Sequence, residues 1–375
     1  QPSMSGHEGV RPLVTLGVCC MAAKATSKPM QAILKRLAMC GDFNIVVFPE
    51  ETILEKPASD WPVVECLIAF ASAGYPLQKC IEYCKLVQPL SINDIQAQAI
   101  FRSRTAVFKK LQEWCIPCPD HIVLDHTCQD AAPLVETEDF IEFKGKKFFK
   151  PFVEKPDDGD RHDIWIYYPQ CVGGGAKKLF RKIKDQSSSF DPEQNTIRRD
   201  GVYVYEPFLP TQGVDIKVYA VGASYVHAEA RKAPTVDGKV ERASDGKEVR
   251  YPVVLTQGEK AIAAFITEAF SQYVCGFDIL RTDGGSLVCD VNGWSCVKGN
   301  QKYYNDCSAL IREKILEPTR GKLGFPLPLL PHDEGEETNL NMVADADFPD
   351  KHDVASTGAS HLRSVIVVMR HGDRR

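Results

Sequence analysis

The sequence predicts two folding units in tandem: an open α/β domain with a parallel sheet, then an α+β domain built on antiparallel sheets. Three observations lead there. Strand-like and helix-like segments alternate up to residue 104, short apolar strands separated by tight turns follow from Ile122, and 375 residues exceed what one core usually fills.

Val14 to Cys20 is apolar and β-prone, Ala22 to Pro29 is small and basic, and Met30 to Met39 has helical spacing. Asn44 to Phe48 and Cys66 to Ser72 read as strands. Leu90 to Asn93 leads into a helix expected over Asp94 to Trp114, a stretch without Gly or Pro. This alternation favours a parallel sheet over residues 12–104, with 1–11 expected to be disordered. In the second unit Phe140 to Phe143 and Lys147 to Phe149 flank a Lys-Gly turn, and Phe152 to Lys155 follows. Ile164 to Tyr168 and Leu179 to Ile183 flank Gly173, Gly174 and Gly175. Tyr203 to Tyr205, Asp215 to Val221 and Ser224 to Arg231 continue the pattern, and a helix over Glu259 to Tyr273 precedes a last hairpin, Gly276 to Arg281 with Ser286 to Val291. Antiparallel sheets suit such short connections.

Composition is ordinary for a globular chain, 44% hydrophobic and 25% charged, and no apolar run approaches the length of a membrane span. The first twelve residues show no apolar leader. The formal net charge of −5 speaks against a nucleic-acid partner. Eight acids and one base fall between His332 and Ser360, so the rest of the chain carries +2 and a basic site can hide in a bland total. That segment, 331–363, reads as an acidic linker. Of 14 cysteines, Cys19, Cys275 and Cys289 sit in apolar runs, and the Cys115/Cys118 pair has no second pair at zinc spacing. Free thiols point to a reducing, cytosolic setting.

The sharpest local signal is the last hairpin. Asp290 and Asn292 are two apart on a strand and share a face. Asp283, Gly284 and Gly285 join the strands, and an odd number of loop residues would bring Asp278 opposite Asp290. Three oxygen ligands would then meet, as Mg2+ requires beside nucleotide phosphates. A second signal is cations on strands: Arg181 and Lys182, then Lys217, Arg231, Lys232, Arg242 and Arg250, then Lys298. Such placement suits a ligand with many phosphates. The three consecutive glycines read equally as a hairpin turn or as a loop closing over phosphates, and no Walker A loop can be fitted.

The D…DxN hairpin resembles the metal hairpin of ATP-grasp enzymes, with Phe152-Val153-Glu154-Lys155-Pro156 and Tyr203 to Leu209 in supporting places. Ser27 to Met30, Lys150 to Pro156, Ile166 to Pro169, Leu179 to Ile183, His227 to Lys232, Lys239 to Arg242, Gly246 to Pro252, Cys275 to Asp278, Cys289 to Gly293 and Lys302 to Tyr304 extend the likeness. Residues 12–330 resemble the kinase domain of the diphosphoinositol pentakisphosphate kinases. The implied fold is an N-terminal open α/β domain (12–104) followed by a two-lobed ATP-grasp domain with antiparallel sheets (105–330). Arg370 to Arg374, in 364–375, resembles the opening of a histidine acid phosphatase motif, so a phosphatase domain is expected in the full-length protein.

The resemblance implies an inositol pyrophosphate kinase using ATP and Mg2+ on inositol hexakisphosphate or 5-diphosphoinositol pentakisphosphate, at position 1. Arg104, Lys155, His162 and Arg181 would hold ATP phosphates, Glu206, Pro207, Phe208 and Leu209 adenine, and Asp215 the ribose. Asp278, Asp290 and Asn292 would bind the metal. Lys24, Arg181, Lys182, Lys217, Arg231, Ser295 and Lys298 would grip the inositol phosphates, with Arg242 and Arg250 lining the same pocket; Lys217, Arg231 and Asp290 would carry the transfer. Ala23 stands where the family commonly has a second lysine, and Ala233 where a serine is usual, so a nucleotide contact at Ala233 would use its backbone. A carboxylate-activating ATP-grasp ligase, a non-catalytic inositol pyrophosphate sensor and, third, a phosphatase are the rivals. The ligase needs no dense basic pocket, and the sensor has no use for a complete metal set.

Overall fold

Val14–Cys19 forms β1 at the centre of a parallel sheet, and the elements around it follow in order. They are α1 (Ala22–Ala25), α2 (Lys28–Met39), β2 (Phe43–Val47), α3 (Glu50–Glu55), β3 (Cys66–Ala69), α4 (Leu77–Val87) and β4 (Leu90–Ser91). The strand order is β2-β1-β3-β4, with every pairing parallel. Helices on both faces bury the two central strands, so Leu16, Val18, Leu67 and Ile68 are all at 0% exposure. α2 turns Met30, Ile33, Leu34 and Leu37 inward at helical spacing. Three helices go beyond the sequence expectation: α1, inside the small basic stretch, and α3 and α4. The structure, a computed structural model, describes residues 13–128, 133–244 and 246–320. Residues 1–328 and 329–375 form separate units, and every described residue belongs to the first. The expected disordered start, the acidic linker and the phosphatase-like terminus lie outside the described residues.

The helix expected over Asp94 to Trp114 is two helices. A 3-10 turn covers Ala97–Arg102, and α5 (Arg104–Glu113) begins after Ser103. Ser103 is extended (φ −128°, ψ 118°), and its Oγ accepts the Ala106 N–H at 3.1 Å, a side-chain cap that starts a new helix.

Antiparallel structure follows: β5 (Ile122–Asp125), β6 (Leu134–Glu136), β7 (Phe140–Phe143), β8 (Lys146–Phe149), β9 (Phe152–Pro156), β10 (Ile164–Tyr167), β11 (Ala176–Ile183), β12 (Gln186–Asp191) and β13 (Val202–Pro207). Strands β12-β11-β10-β9-β13-β5 form a six-stranded sheet and β6-β7-β8 a small one. The edge strand β12 escaped the sequence reading because Gln186-Ser-Ser-Ser looks like a turn. The remaining elements are β14 (Val214–Val221), β15 (Tyr225–Lys232), β16 (Tyr251–Pro252), α6 (Gln257–Ala269), β17 (Val274–Thr282), β18 (Gly285–Asn292) and α7 (Gln301–Arg320). Strands β16-β15-β14-β17-β18 form a five-stranded sheet.

α7, also unanticipated, returns to the parallel sheet. Tyr303, Cys307, Ile311 and Ile315 share one core with Leu16 and Val18 of β1, Tyr219 and Val221 of β14, and Val274 of β17. Polar clasps tie α7 to α2 and to the α2–β2 connection: Arg36 Nε donates to Asn305 at 2.5 Å, and Arg312 pairs with Asp42 at 2.5 Å.

Candidate active site

β17 and β18 meet through a two-residue turn, Asp283-Gly284, with Thr282 paired to Gly285. Gly285 is thus in the strand and not in the loop, which corrects the expected odd-length turn. An even turn alone would set Cys289 opposite Asp278. The register shifts between Asp278 and Ile279, leaving Cys289 as the extra residue of a bulge, and Asp278 pairs with Asp290 and Gly276 with Asn292. The acids therefore do share a face, by a different route. Val288 and Val291, three apart and both buried, are the trace of that bulge in the sequence, because strict alternation cannot bury both.

The same face continues across the sheet. Asp278 is opposite Lys217, Lys217 opposite Glu229, and Asp215 opposite Arg231. Lys217 Nζ lies 3.2 Å from Asp278 Oδ1, and the Asn292 amide donates to Asp290 Oδ2 at 2.8 Å. Burial works against the Lys217 charge, yet Asp278 and Asp290 outweigh it and hold its pKa above the ordinary lysine value. Burial pushes the Asp215 carboxyl up to about 6, against the pull of Arg231 at 3.6 Å. Among the described residues no three His, Cys, Asp or Glu side chains cluster as a metal cage. Two carboxylates and one amide oxygen suit Mg2+, which takes its remaining ligands from phosphate and water.

A cavity of about 880 Å³ lies between the five- and six-stranded sheets. Its lining brings together Lys24, Arg104, Lys155, His162, Arg181, Lys182, Glu206, Pro207, Phe208, Leu209, Asp215, Lys217, Arg231, Asp278, Asp290, Asn292 and Ser295. Lys155 on β9 reaches Glu206 on β13 at 2.6 Å and the Cys289 carbonyl at 3.3 Å, tying the two sheets. Burial opposes its charge, and Glu206 more than restores it. Arg104 is engaged with backbone: its guanidinium donates to the carbonyls of Pro156 (2.5 Å), Asp158 (2.7 Å) and Arg161 (2.8 Å). Arg231 Nε is buried and finds no hydrogen-bond partner among the described residues, a donor that suits an anion.

Other expected contacts lie elsewhere. Arg242, Arg250 and Lys298 are outside the lining. Arg242 pairs with Asp185 at 2.5 Å, and Arg250 sits behind Glu248 and Glu229. The three consecutive glycines are not in the lining either. They hold φ values of 101°, 66° and 77°, and a Cβ on Gly175 would come within 2.6 Å of Phe190, so the turn itself requires them. The Ala233 backbone is already used, its N–H donating to Gly213 and its carbonyl accepting from Val236. Glu248, which the sequence reading passed over, is in the lining; its alternation with Arg250 on an extended segment was the available signal.

Two antiparallel sheets enclosing a cavity, with paired acids on a terminal hairpin, define an ATP-grasp fold. The profile of the RimK-like ATP-grasp domain matches residues 201–315. A crystal structure of D-cycloserine synthetase DcsG superposes with a TM-score of 0.50 at 15% identity, covering 81% of this chain and 99% of that one, which speaks to fold alone. The profile of the diphosphoinositol pentakisphosphate kinase 2 N-terminal domain matches residues 14–103. The Arabidopsis thaliana inositol hexakisphosphate and diphosphoinositol-pentakisphosphate kinase VIP1 is 47% identical, over 98% of this chain and 35% of its own length. The Homo sapiens inositol hexakisphosphate and diphosphoinositol-pentakisphosphate kinase 2 is 46% identical, over 96% of this chain and 28% of its own. The chain belongs to the diphosphoinositol pentakisphosphate kinase family, and it spans about a third of the length of these relatives.

Proposed function

We propose that this chain is the kinase region of an ATP- and Mg2+-dependent enzyme that transfers the γ-phosphate of ATP to a phosphate of inositol hexakisphosphate or 5-diphosphoinositol pentakisphosphate. Transfer at ring position 1 gives 1-diphosphoinositol or 1,5-bis-diphosphoinositol products. The observation that carries the reading is the juxtaposition, in one cavity, of the paired acids Asp278 and Asp290 with the cations Lys182, Lys217 and Arg231. A carboxylate ligase would need the acids without that basic wall. The relatives' printed names support the substrate class.

Asp278, Asp290 and Asn292 would hold Mg2+, which when bound neutralises phosphate charge during the transfer. Lys155 serves the ATP phosphates, with Arg181 and His162. Arg104 acts through the 156–161 loop that its guanidinium pins. Glu206 to Leu209 receive adenine, and Asp215 accepts from ribose. Lys24, Arg181, Lys182, Lys217, Arg231 and Ser295 hold the acceptor, while Arg242, Arg250 and Lys298 contribute charge from outside the lining. The acceptor is an ionised phosphate, so no general base is required and the chain's task is positioning. Two unit charges about 4 Å apart repel by about 4 kcal/mol at an effective dielectric of about 20, which is why many cations are needed. The same reading keeps residues 12–104 and 105–330 as the two domains, a cytosolic location, no nucleic-acid partner, and a C-terminal phosphatase domain in the full-length protein. Among the described residues no helix is long and apolar enough to cross a membrane.

Incubation with ATP, Mg2+ and inositol hexakisphosphate should yield a more highly charged product on anion exchange. Asp290→Ala should lower that rate by about a hundredfold or more while the melting temperature holds. Residual activity within about tenfold of wild type would remove the hairpin from the mechanism, and ATP hydrolysis driven by amino acids would restore the ligase.

A further inference from the structure

Glu248 places a negative charge on the wall of a cavity whose proposed substrate is a polyanion. The segment between β15 and β16 carries it. The backbones of Arg242 and Glu248 pair there in an antiparallel bridge, and the Ala243 N–H donates to the Lys247 carbonyl at 2.8 Å, so the segment is a small hairpin. This hairpin is fastened to the β11–β12 turn. Arg242 donates to Asp185 Oδ1 (2.5 Å) and the Lys184 carbonyl (2.9 Å), and the Val240 N–H to the Asp185 carbonyl (2.8 Å).

Both Glu248 oxygens are committed to cations. Oε1 takes the Lys182 ammonium, and Oε2 takes Arg250 Nε at 3.2 Å and a second Arg250 nitrogen at 3.0 Å. Arg250 is braced in turn by the Tyr219 hydroxyl (3.0 Å) and Glu229 Oε2 (3.1 Å). The result is a relay from the sheet to the cavity: Tyr219 and Glu229 hold Arg250, Arg250 holds Glu248, and Glu248 holds Lys182. Only the last two line the cavity.

The charges facing Lys182 are Glu248 on the hairpin, Arg231 on β15, Asp215 on β14 and Arg250 before β16. Burial and the two arginines favour loss of the Lys182 proton, and its pKa lies below the ordinary lysine value despite Glu248. A lysine also has a flexible stem that must be held to act as a fixed point charge. A carboxylate that repelled phosphates without fixing a cation would weaken binding.

We propose that Glu248 is a positioning residue for acceptor recognition, its carboxylate holding the Lys182 ammonium in place and charged against the substrate phosphates. The inference rests on the proposed reading of Lys182 as an acceptor contact.

The experiment is steady-state kinetics with inositol hexakisphosphate on wild type, E248Q, E248D, K182Q and the K182Q/E248Q double variant. E248Q should raise the inositol hexakisphosphate KM by about tenfold, with the ATP KM within about twofold. The alkaline limb of kcat/KM for inositol hexakisphosphate should move to lower pH, and E248D should recover part of the loss. The double variant should be no worse than K182Q, because Glu248 acts through that lysine. Additive losses, an unmoved alkaline limb, or both KM values rising together with a lowered melting temperature would each overturn the inference. Wild-type turnover with an unaffected E248Q overturns it while leaving the kinase reading intact. Absence of wild-type turnover overturns both.

Discussion

Asp215 shows how one buried side chain couples the site to stability. Burial raises its carboxyl to about 6 from 3.8, so the folded chain binds a proton that the unfolded chain releases over that window. The contribution of Asp215 to stability is then fully present below about pH 4 and declines as pH rises through 6. Relative to Asp215→Asn, wild type should lose on the order of 3 kcal/mol between pH 4 and 7, read by denaturant melts at several pH values. A stability difference independent of pH would show that Asp215 is solvated. The ribose role was legible in the sequence only through resemblance. The charge cost was not, because it arises first from burial in the assembled site and then from Asp278, sixty-three positions away, and Glu248 on the hairpin. Arg104 carries the same lesson: the sequence shows a cation, but the carbonyls that occupy it lie more than fifty residues on.

At the scale of elements, Glu259 ties α6 to the β17–β18 hairpin. It completes a capping box with Thr256, and its carboxylate also accepts from Arg281 at 2.7 Å and Ser286 at 2.7 Å. Burial works against its charge, yet the Arg281 hydrogen bonds outweigh it and bring the pKa from 4.5 down to about 2. Because the folded pKa is depressed, this stabilisation is present above about pH 4.5 and is lost as pH falls toward 2. Glu259→Gln should cost about 2 kcal/mol at pH 7, after discounting the part-exposed Arg281, with the gap closing in acid. A gap that persisted at pH 2 would assign the loss to packing. Elements with clean alternation or helical spacing, such as β1, α2 and the last hairpin, were legible. β12 and α7 were not, since a serine-rich edge strand and a helix with charged faces take their order from what covers them.

For the whole molecule, every described residue lining the cavity falls between Lys24 and Ser295, and α7 supplies the core behind it. A chain ending after Pro331 should keep its melting temperature and kinase rate. One ending at Asn300 should not fold, because it strips Tyr303, Cys307, Ile311 and Ile315 from the core under β1. A soluble, cooperatively melting chain of that shorter length would show the shared core to be dispensable. The sequence by itself determined the two sheet types, the shared strand face of Asp290 and Asn292 and the presence of strand-borne cations, because these depend on residue type and period alone; that Asp278 faces Asp290 was decided by the bulge. Only the tertiary structure decided which cations meet the cavity. Lys182, Lys217 and Arg231 reach it, whereas Arg250 braces from behind and Arg242 clasps a turn outside it. The physical reason is that a bulge at Cys289 and the ion pairs of Glu248 and Asp185 fix side-chain direction through partners distant in the chain, which no local pattern records.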